Sequence, residues 1–301
     1  MKKSIMALLL LGLPLSAWAK LPVVASFSIV ADMTREIGGD RVEVSSLVGP
    51  DQDAHVFQPS PADVKKVAGA KLLVTNGLGM EGWMVRLSKA AHFKGVQVEA
   101  GKGIKTREAE DEDHHGHDHG HAGHDHGAID PHAWHDPKRV LTYIRNIEAG
   151  LSQADPAGKQ EYARRAAEYA AKVKEMDAWA AKAFAAVPAA KRKMLTSHDA
   201  FAYLGERYQL QVLAIQGVST ESEASAKAVA RLVRQVRQEK VSAVFMENMT
   251  DKRLLEQLSR EAKVTIGGKL YADALSGPSG PAPSYLAMFR YNVDTILKSF
   301  K

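Results

Sequence analysis

No cysteine occurs anywhere in the 301 residues. That absence removes disulfides, thiolate metal sites and cysteine nucleophiles together, so any bound metal is held by nitrogen and oxygen atoms. An excess of either charge is missing too: 40 Lys and Arg stand against 35 Asp and Glu, a formal net of +5. So even a balance gives no footing for nucleic-acid binding. Beyond the N-terminus no run approaches the roughly 18 apolar residues of a spanning helix, which makes the remainder of the chain soluble by expectation.

The N-terminus has the three parts of a secretory leader. Met1-Lys2-Lys3 precedes an apolar stretch through Leu8, Leu9, Leu10 and Leu11, and Ala17-Trp18-Ala19 supplies small residues before Lys20. Cleavage is expected after Ala19, which assigns residues 1–19 to a signal peptide. Losing Lys2 and Lys3 lowers the net charge to +3. No cysteine follows the apolar run, so a lipid anchor is not expected, and an exported protein without one fits a Gram-negative periplasm.

What the chain does have in excess is histidine at one place. Residues 108–129 read EAEDEDHHGHDHGHAGHDHGAI, with seven histidines (His114, His115, His117, His119, His121, His124 and His126), seven carboxylates and two copies of GHDHG. Neutral imidazole is the commonest protein ligand for zinc, nickel and copper, and carboxylates can complete a shell. Four glycines and no large apolar residue before Ile129 leave nothing to fix those ligands. The reading is a loop of weak, interchangeable accessory metal sites, and a tight site must lie in folded structure.

Around the loop, apolar runs alternate with helical ones. PVVASFSIV, VEVSSLV, KLLVTNG and VQVEA are separated by helical segments near 28–37, 61–70 and 81–91, and KMLTSH, LQVLAIQG, VSAVFMEN and VTIGGKLYAD by others near 199–208, 222–239 and 252–262. That rhythm predicts an α/β protein of two lobes, each with a mainly parallel sheet flanked by helices. A stretch of about thirty residues from Pro156 to Ala186 is rich in Ala, Lys, Glu and Arg, with no Gly or Pro after Gly158. It predicts one long helix of roughly 45 Å joining the lobes. The domains are then an N-terminal lobe over 20–154 that carries the histidine loop, a linking helix over 155–187 and a C-terminal lobe over 188–301.

Five histidines lie outside the loop: His55, His92, His132, His135 and His198. Parallel sheets bind ligands beyond the carboxyl ends of their strands. His55 follows VEVSSLV, His198 ends KMLTSH, Asp273 ends VTIGGKLYAD, and His132 sits in DPHAWHDP before a helix. His92, late in a helix, reads as a cation near a helix C-terminus. His135 and Glu247, the latter closing VSAVFMEN, read as supporting residues more than as ligands.

In order along the chain, GPDQDAHVFQPSPADV, the acidic histidine-rich insert, DPHAWHDP, LTSHDAFAYLGERYQL, IQGVSTESEASAK and LYADALS resemble the cluster A-I solute-binding proteins of zinc and manganese ABC transporters. The resemblance spans essentially all of 21–301. It implies one divalent cation bound in the cleft between the lobes, held by His55, His132, His198 and Asp273. Where manganese-binding relatives typically have Glu in the third position, this chain has His198, and three imidazoles with one carboxylate suit tetrahedral zinc. The cysteine pair of some zinc-binding relatives is missing here.

The function this implies is a periplasmic carrier, not an enzyme, that takes up Zn²⁺ as transported ligand and delivers it, as a monomer, to an inner-membrane ABC permease, with no nucleic-acid partner. The alternatives are a manganese or broad divalent-cation carrier, a periplasmic zinc chaperone, and a zinc-dependent hydrolase with Glu247 as its base.

Overall fold

A computed structural model describes residues 19–108, 129–221, 226–249 and 253–300. The leader and nearly all of the histidine-rich insert lie outside the described residues. The N-terminal half begins with β1 (Leu21–Phe27), α1 (Ser28–Gly38), β2 (Val42–Val48), α2 (Pro61–Gly69), β3 (Leu72–Thr75), α3 (Met84–Ala90) and β4 (Val96–Glu99). Its sheet has the order β2-β1-β3-β4, with every pair parallel. The central strands, LPVVASF and LLVT, are nearly continuous apolar runs because helices cover both of their faces. Edge strand β4 instead alternates half-buried and exposed residues.

Two helices follow, α4 (Pro137–Ala154) and α5 (Lys159–Ala185). The C-terminal half then repeats the pattern as β5 (Lys193–His198), α6 (Ala202–Tyr208), β6 (Gln211–Gln216), α7 (Ala226–Glu239), β7 (Ala243–Glu247), α8 (Arg253–Ala262), β8 (Ile266–Leu270) and α9 (Tyr285–Ser299). Its sheet, β6-β5-β7-β8, is again parallel. The fold is therefore the two-lobed α/β arrangement that the alternation of runs predicts.

Helix α5 has 27 residues, so it reaches about 40 Å. It buries one stripe, Tyr162, Ala166, Tyr169, Val173, Met176, Ala180 and Phe184, at steps of three and four. Along that stripe it packs on α1 and α4 of the first lobe and on α6 and α9 of the second. One apolar core consequently runs through both lobes, from Val23 and Phe27 across Tyr169 and Phe184 to Phe289 and Ile296. A smaller cluster lies under α7 and α8.

Three boundaries differ from the sequence reading, each for a local reason. Helix α3 starts at Met84 and not near Glu81, because the Glu81 carboxylate turns back to accept the N–H groups of Asn76 and Gly77 at 2.6 and 3.1 Å. The linking helix begins at Lys159, after a 3-10 turn at Pro156–Gly158. Strand β8 stops at Leu270: the N–H and C=O of Tyr271 bond the Asn292 side chain of α9, at 2.9 and 2.8 Å, in place of a neighbouring strand. Asp273 thus sits in an irregular segment beyond the strand that was expected to end on it.

Candidate metal centre

Both sheets point their carboxyl ends toward the seam between the lobes, and the four predicted residues converge there. His55 comes from the β2–α2 loop, His132 from the segment before a 3-10 turn at Ala133–His135, His198 from the last position of β5, and Asp273 from the segment after β8. One donor atom from each lies within 4.8 Å of the others. His55 Nε2 is 3.3 Å from His132 Nε2 and 3.3 Å from Asp273 Oδ2. His198 Nε2 is 3.1 Å from Asp273 Oδ2, and His132 Nε2 is 3.5 Å from Asp273 Oδ1. Donor atoms of first-row divalent metal sites held by bonds of about 2.0–2.2 Å stand roughly 3–3.5 Å apart, the scale of these separations.

The two innermost imidazoles are held by buried carboxylates. Asp130 Oδ1 accepts both the main-chain N–H of His132 at 2.9 Å and its Nδ1–H at 2.8 Å. Glu247, at the end of neighbouring strand β7, accepts the main-chain N–H of His198 at 3.0 Å with one oxygen and Nδ1–H with the other. A proton held on Nδ1 leaves Nε2 as a lone pair, the form a metal takes. Both Nε2 atoms then aim at the same small space as the Asp273 carboxylate. With Nε2 unprotonated on both rings that space is lined by acceptors alone, a repulsive arrangement that a cation, or a proton on Nε2, relieves.

The surrounding carboxylates create the same demand for positive charge. Burial alone opposes a charged His198, yet Glu247 and Asp273 outweigh it and push the imidazole well above its ordinary range. Asp273 is buried as well, but His198 and His132 hold its carboxyl well below the carboxylate range. Asp273 is fully enclosed, as are His132 and His198, whereas His55 keeps 9% of its surface exposed.

Contacts across the seam fix Asp273 against His132. Trp134 Nε1 and His135 Nε2 both donate to the carbonyl of Ala272, at 3.0 and 3.1 Å. The Tyr285 hydroxyl donates to the Trp134 carbonyl at 2.9 Å. His135 therefore stays out of the cluster: burial holds its imidazole neutral, down to about 3, and Phe201 stacks 4.4 Å from its ring. His92 lies apart, exposed in the turn after α3.

The family model for the zinc-uptake complex component A, periplasmic (ZnuA), matches residues 23–299. The chain belongs to the ZnuA family. Among its relatives, the iron-binding protein YfeA of Yersinia pestis is 32% identical over 283 residues, covering 93% of this chain and 86% of that protein. The manganese-binding lipoprotein MntA of Bacillus subtilis is 32% identical over 291 residues, covering 95% and 92%. Among solved structures, the periplasmic zinc binding protein TroA from Treponema pallidum superposes with a TM-score of 0.84 at 27% identity, covering 94% of this chain and 99% of that one. This ZnuA-family chain is accordingly a metal-binding substrate-binding protein of an ABC transporter.

Sequence reasoning left Asp130 and Asp53 without roles. Their signal was present as a repeated spacing, Asp53-x-His55 and Asp130-x-His132. The seven loop histidines fall outside the described residues, although the ends of the insert are joined by an antiparallel bridge between Glu108 and Ile129.

Proposed function

We propose that this ZnuA-family protein is the zinc-binding component of an ABC importer, binding one Zn²⁺ through His55, His132, His198 and Asp273 and passing it to a permease in the inner membrane. The observation that carries this reading is the convergence of three Nε2 atoms and one carboxylate at 3.1–3.5 Å, with the Nδ1 protons of two imidazoles fixed by carboxylates. Three nitrogens and one oxygen favour zinc over manganese, which prefers more oxygen ligands. Among the described residues no helix is long and apolar enough to cross a membrane. With the leader, that fits a carrier working outside the cytoplasm, and a closed four-ligand shell suits cargo more than catalysis.

The loop histidines, His114 to His126, are accessory in this proposal. Joined to the fold through Glu108 and Ile129, the second of which lines the cavity that His55 also lines, they raise the local concentration of zinc. A second reading, manganese or broad divalent-cation transport, draws on the manganese- and iron-binding relatives. Competition titration decides between them: purified metal-free protein is offered Zn²⁺ and Mn²⁺ against a chelator of known affinities. Zinc held at least a thousandfold more tightly supports the zinc reading, and comparable affinities overturn it.

A further inference from the structure

The two Asp-x-His segments begin alike and then diverge. In each, the aspartate Oδ1 accepts the main-chain N–H of the histidine two residues on, at 2.8 Å for Asp53 and 2.9 Å for Asp130. Asp130 also holds the ring of its histidine. Asp53 does not; its Oδ2 accepts a 2.7 Å hydrogen bond from the Thr220 hydroxyl, which comes from the opposite lobe just past β6. Among the described residues no carboxylate holds Nδ1 of His55. Of the three histidines it alone lacks that support.

It is also the only one with a place to go. His55 lines a cavity of about 1000 Å³ with Phe57, Trp83, Val218 and Ser219, and neither His132, His198 nor Asp273 lines it. Rotating His55 into that space breaks one metal bond. Withdrawing His132 or His198 means breaking a buried carboxylate pair as well, and moving Asp273 disturbs the Ala272 carbonyl that Trp134 and His135 hold. The main chain beside His55 is anchored within its own lobe, since Trp83 Nε1 donates to the Ala54 carbonyl at 2.9 Å. What remains free to move is the ring, beside an Asp53 side chain that reaches across the seam to Thr220.

We propose that His55 is the ligand that detaches when metal enters or leaves, and that Thr220, acting through Asp53, sets how readily it does so. This rests on the four-residue site proposed above. Thr220 touches no ligand, so it is a positioning residue: its hydrogen bond exists only while the lobes are apposed, and it converts their apposition into order in the His55 loop.

The test is the transfer of bound Zn²⁺ from the full chain to excess chromophoric chelator, followed in time, after a weak chelator has stripped the loop. Thr220→Val removes the donor and keeps the shape. Release is expected to accelerate by up to roughly tenfold, the scale of one hydrogen bond, with one tight site retained. Thr220→Ser is expected to restore the wild-type rate. His55→Ala is expected to release at least about a hundredfold faster from a weaker but measurable site, beyond the roughly 10–100-fold that loss of a ligand's supporting partner costs. Wild-type release from Thr220→Val overturns the role of Thr220, and His55→Ala releasing no faster than wild type overturns that of His55. The four-residue site itself is tested apart from these rates: a tight site surviving in His198→Ala sinks it whatever Thr220 does.

Discussion

Glu247→Gln separates the charge and the hydrogen-bond geometry behind His198 from simple packing, because the side chain keeps its volume. Glu247 is 3% exposed and gives one oxygen to the main-chain N–H of His198 and the other to Nδ1. An amide has one accepting end and one donating end, so it cannot serve both N–H groups. With its oxygen on the main chain, the amide NH₂ faces Nδ1 and drives the ring proton to Nε2, the atom aimed at Asp273. Turned the other way, it leaves a buried main-chain N–H facing a donor, at a cost of about 1–3 kcal/mol. Either arrangement should weaken zinc binding by roughly 10–100-fold, or about 1.4–2.7 kcal/mol, the range seen when the partner of a metal-bound histidine is lost. Competition against a chelator of known zinc affinity reads this directly, with the stoichiometry expected to stay at one tight site. An affinity equal to wild type would refute the reasoning, because it would mean that the carboxylate neither selects the tautomer nor contributes charge.

Other substitutions probe separate parts of the molecule. His132→Ala or His198→Ala, in protein lacking residues 110–127, should abolish the single tight site, as measured by zinc titration. The deletion alone should lower total zinc stoichiometry and slow capture while sparing that site; unchanged stoichiometry would argue against an accessory role for the loop. Asn292→Ala strands the buried N–H and C=O of Tyr271 and should cost about 2–3 kcal/mol in denaturant unfolding. Burial pushes the Glu81 carboxyl up to about 7 from 4.5, against the pull of the Ser26 hydroxyl and the Asn76 and Gly77 N–H groups. Because the folded-state value is raised, the stability contributed by the neutral form is complete below about pH 4.5 and is lost as pH rises through about 7, by about 3 kcal/mol at most. Glu81→Gln should therefore flatten the fall in unfolding free energy between about pH 5 and about pH 8, and an identical slope in the two proteins would contradict it.

Most of the architecture could be read from residue patterns, because buried parallel strands and covering helices leave different periodicities. Runs such as LLVT and AVFME are short and carry β-branched or aromatic residues, which favours a covered strand over a buried helix. Two of the three boundaries that shifted did so through single side chains, Glu81 folding back on Asn76 and Asn292 replacing a strand partner for Tyr271. Such contacts have no local signature. The same holds at the site. Placement of His55, His132, His198 and Asp273 along the carboxyl edges of the two sheets follows from topology, whereas the difference between Asp53 and Asp130 does not, since Thr220 lies 167 residues from one of them and decides its partner. His135 was ambiguous for a related reason: only the carbonyl of Ala272, 137 residues away, turns its ring from the cluster.

Helix α5 has a mechanical consequence for how the carrier is recognised. A 40 Å beam packed on both lobes along one continuous stripe resists bending far more than a pair of crossing strands does. Large swings of one lobe on the other would tear Tyr169, Val173 and Met176 out of the shared core. The outline of the molecule is therefore nearly the same with and without cargo. A transporter that must tell a full carrier from an empty one has little global shape to sense, and the information it needs is concentrated in the few residues that rim the seam.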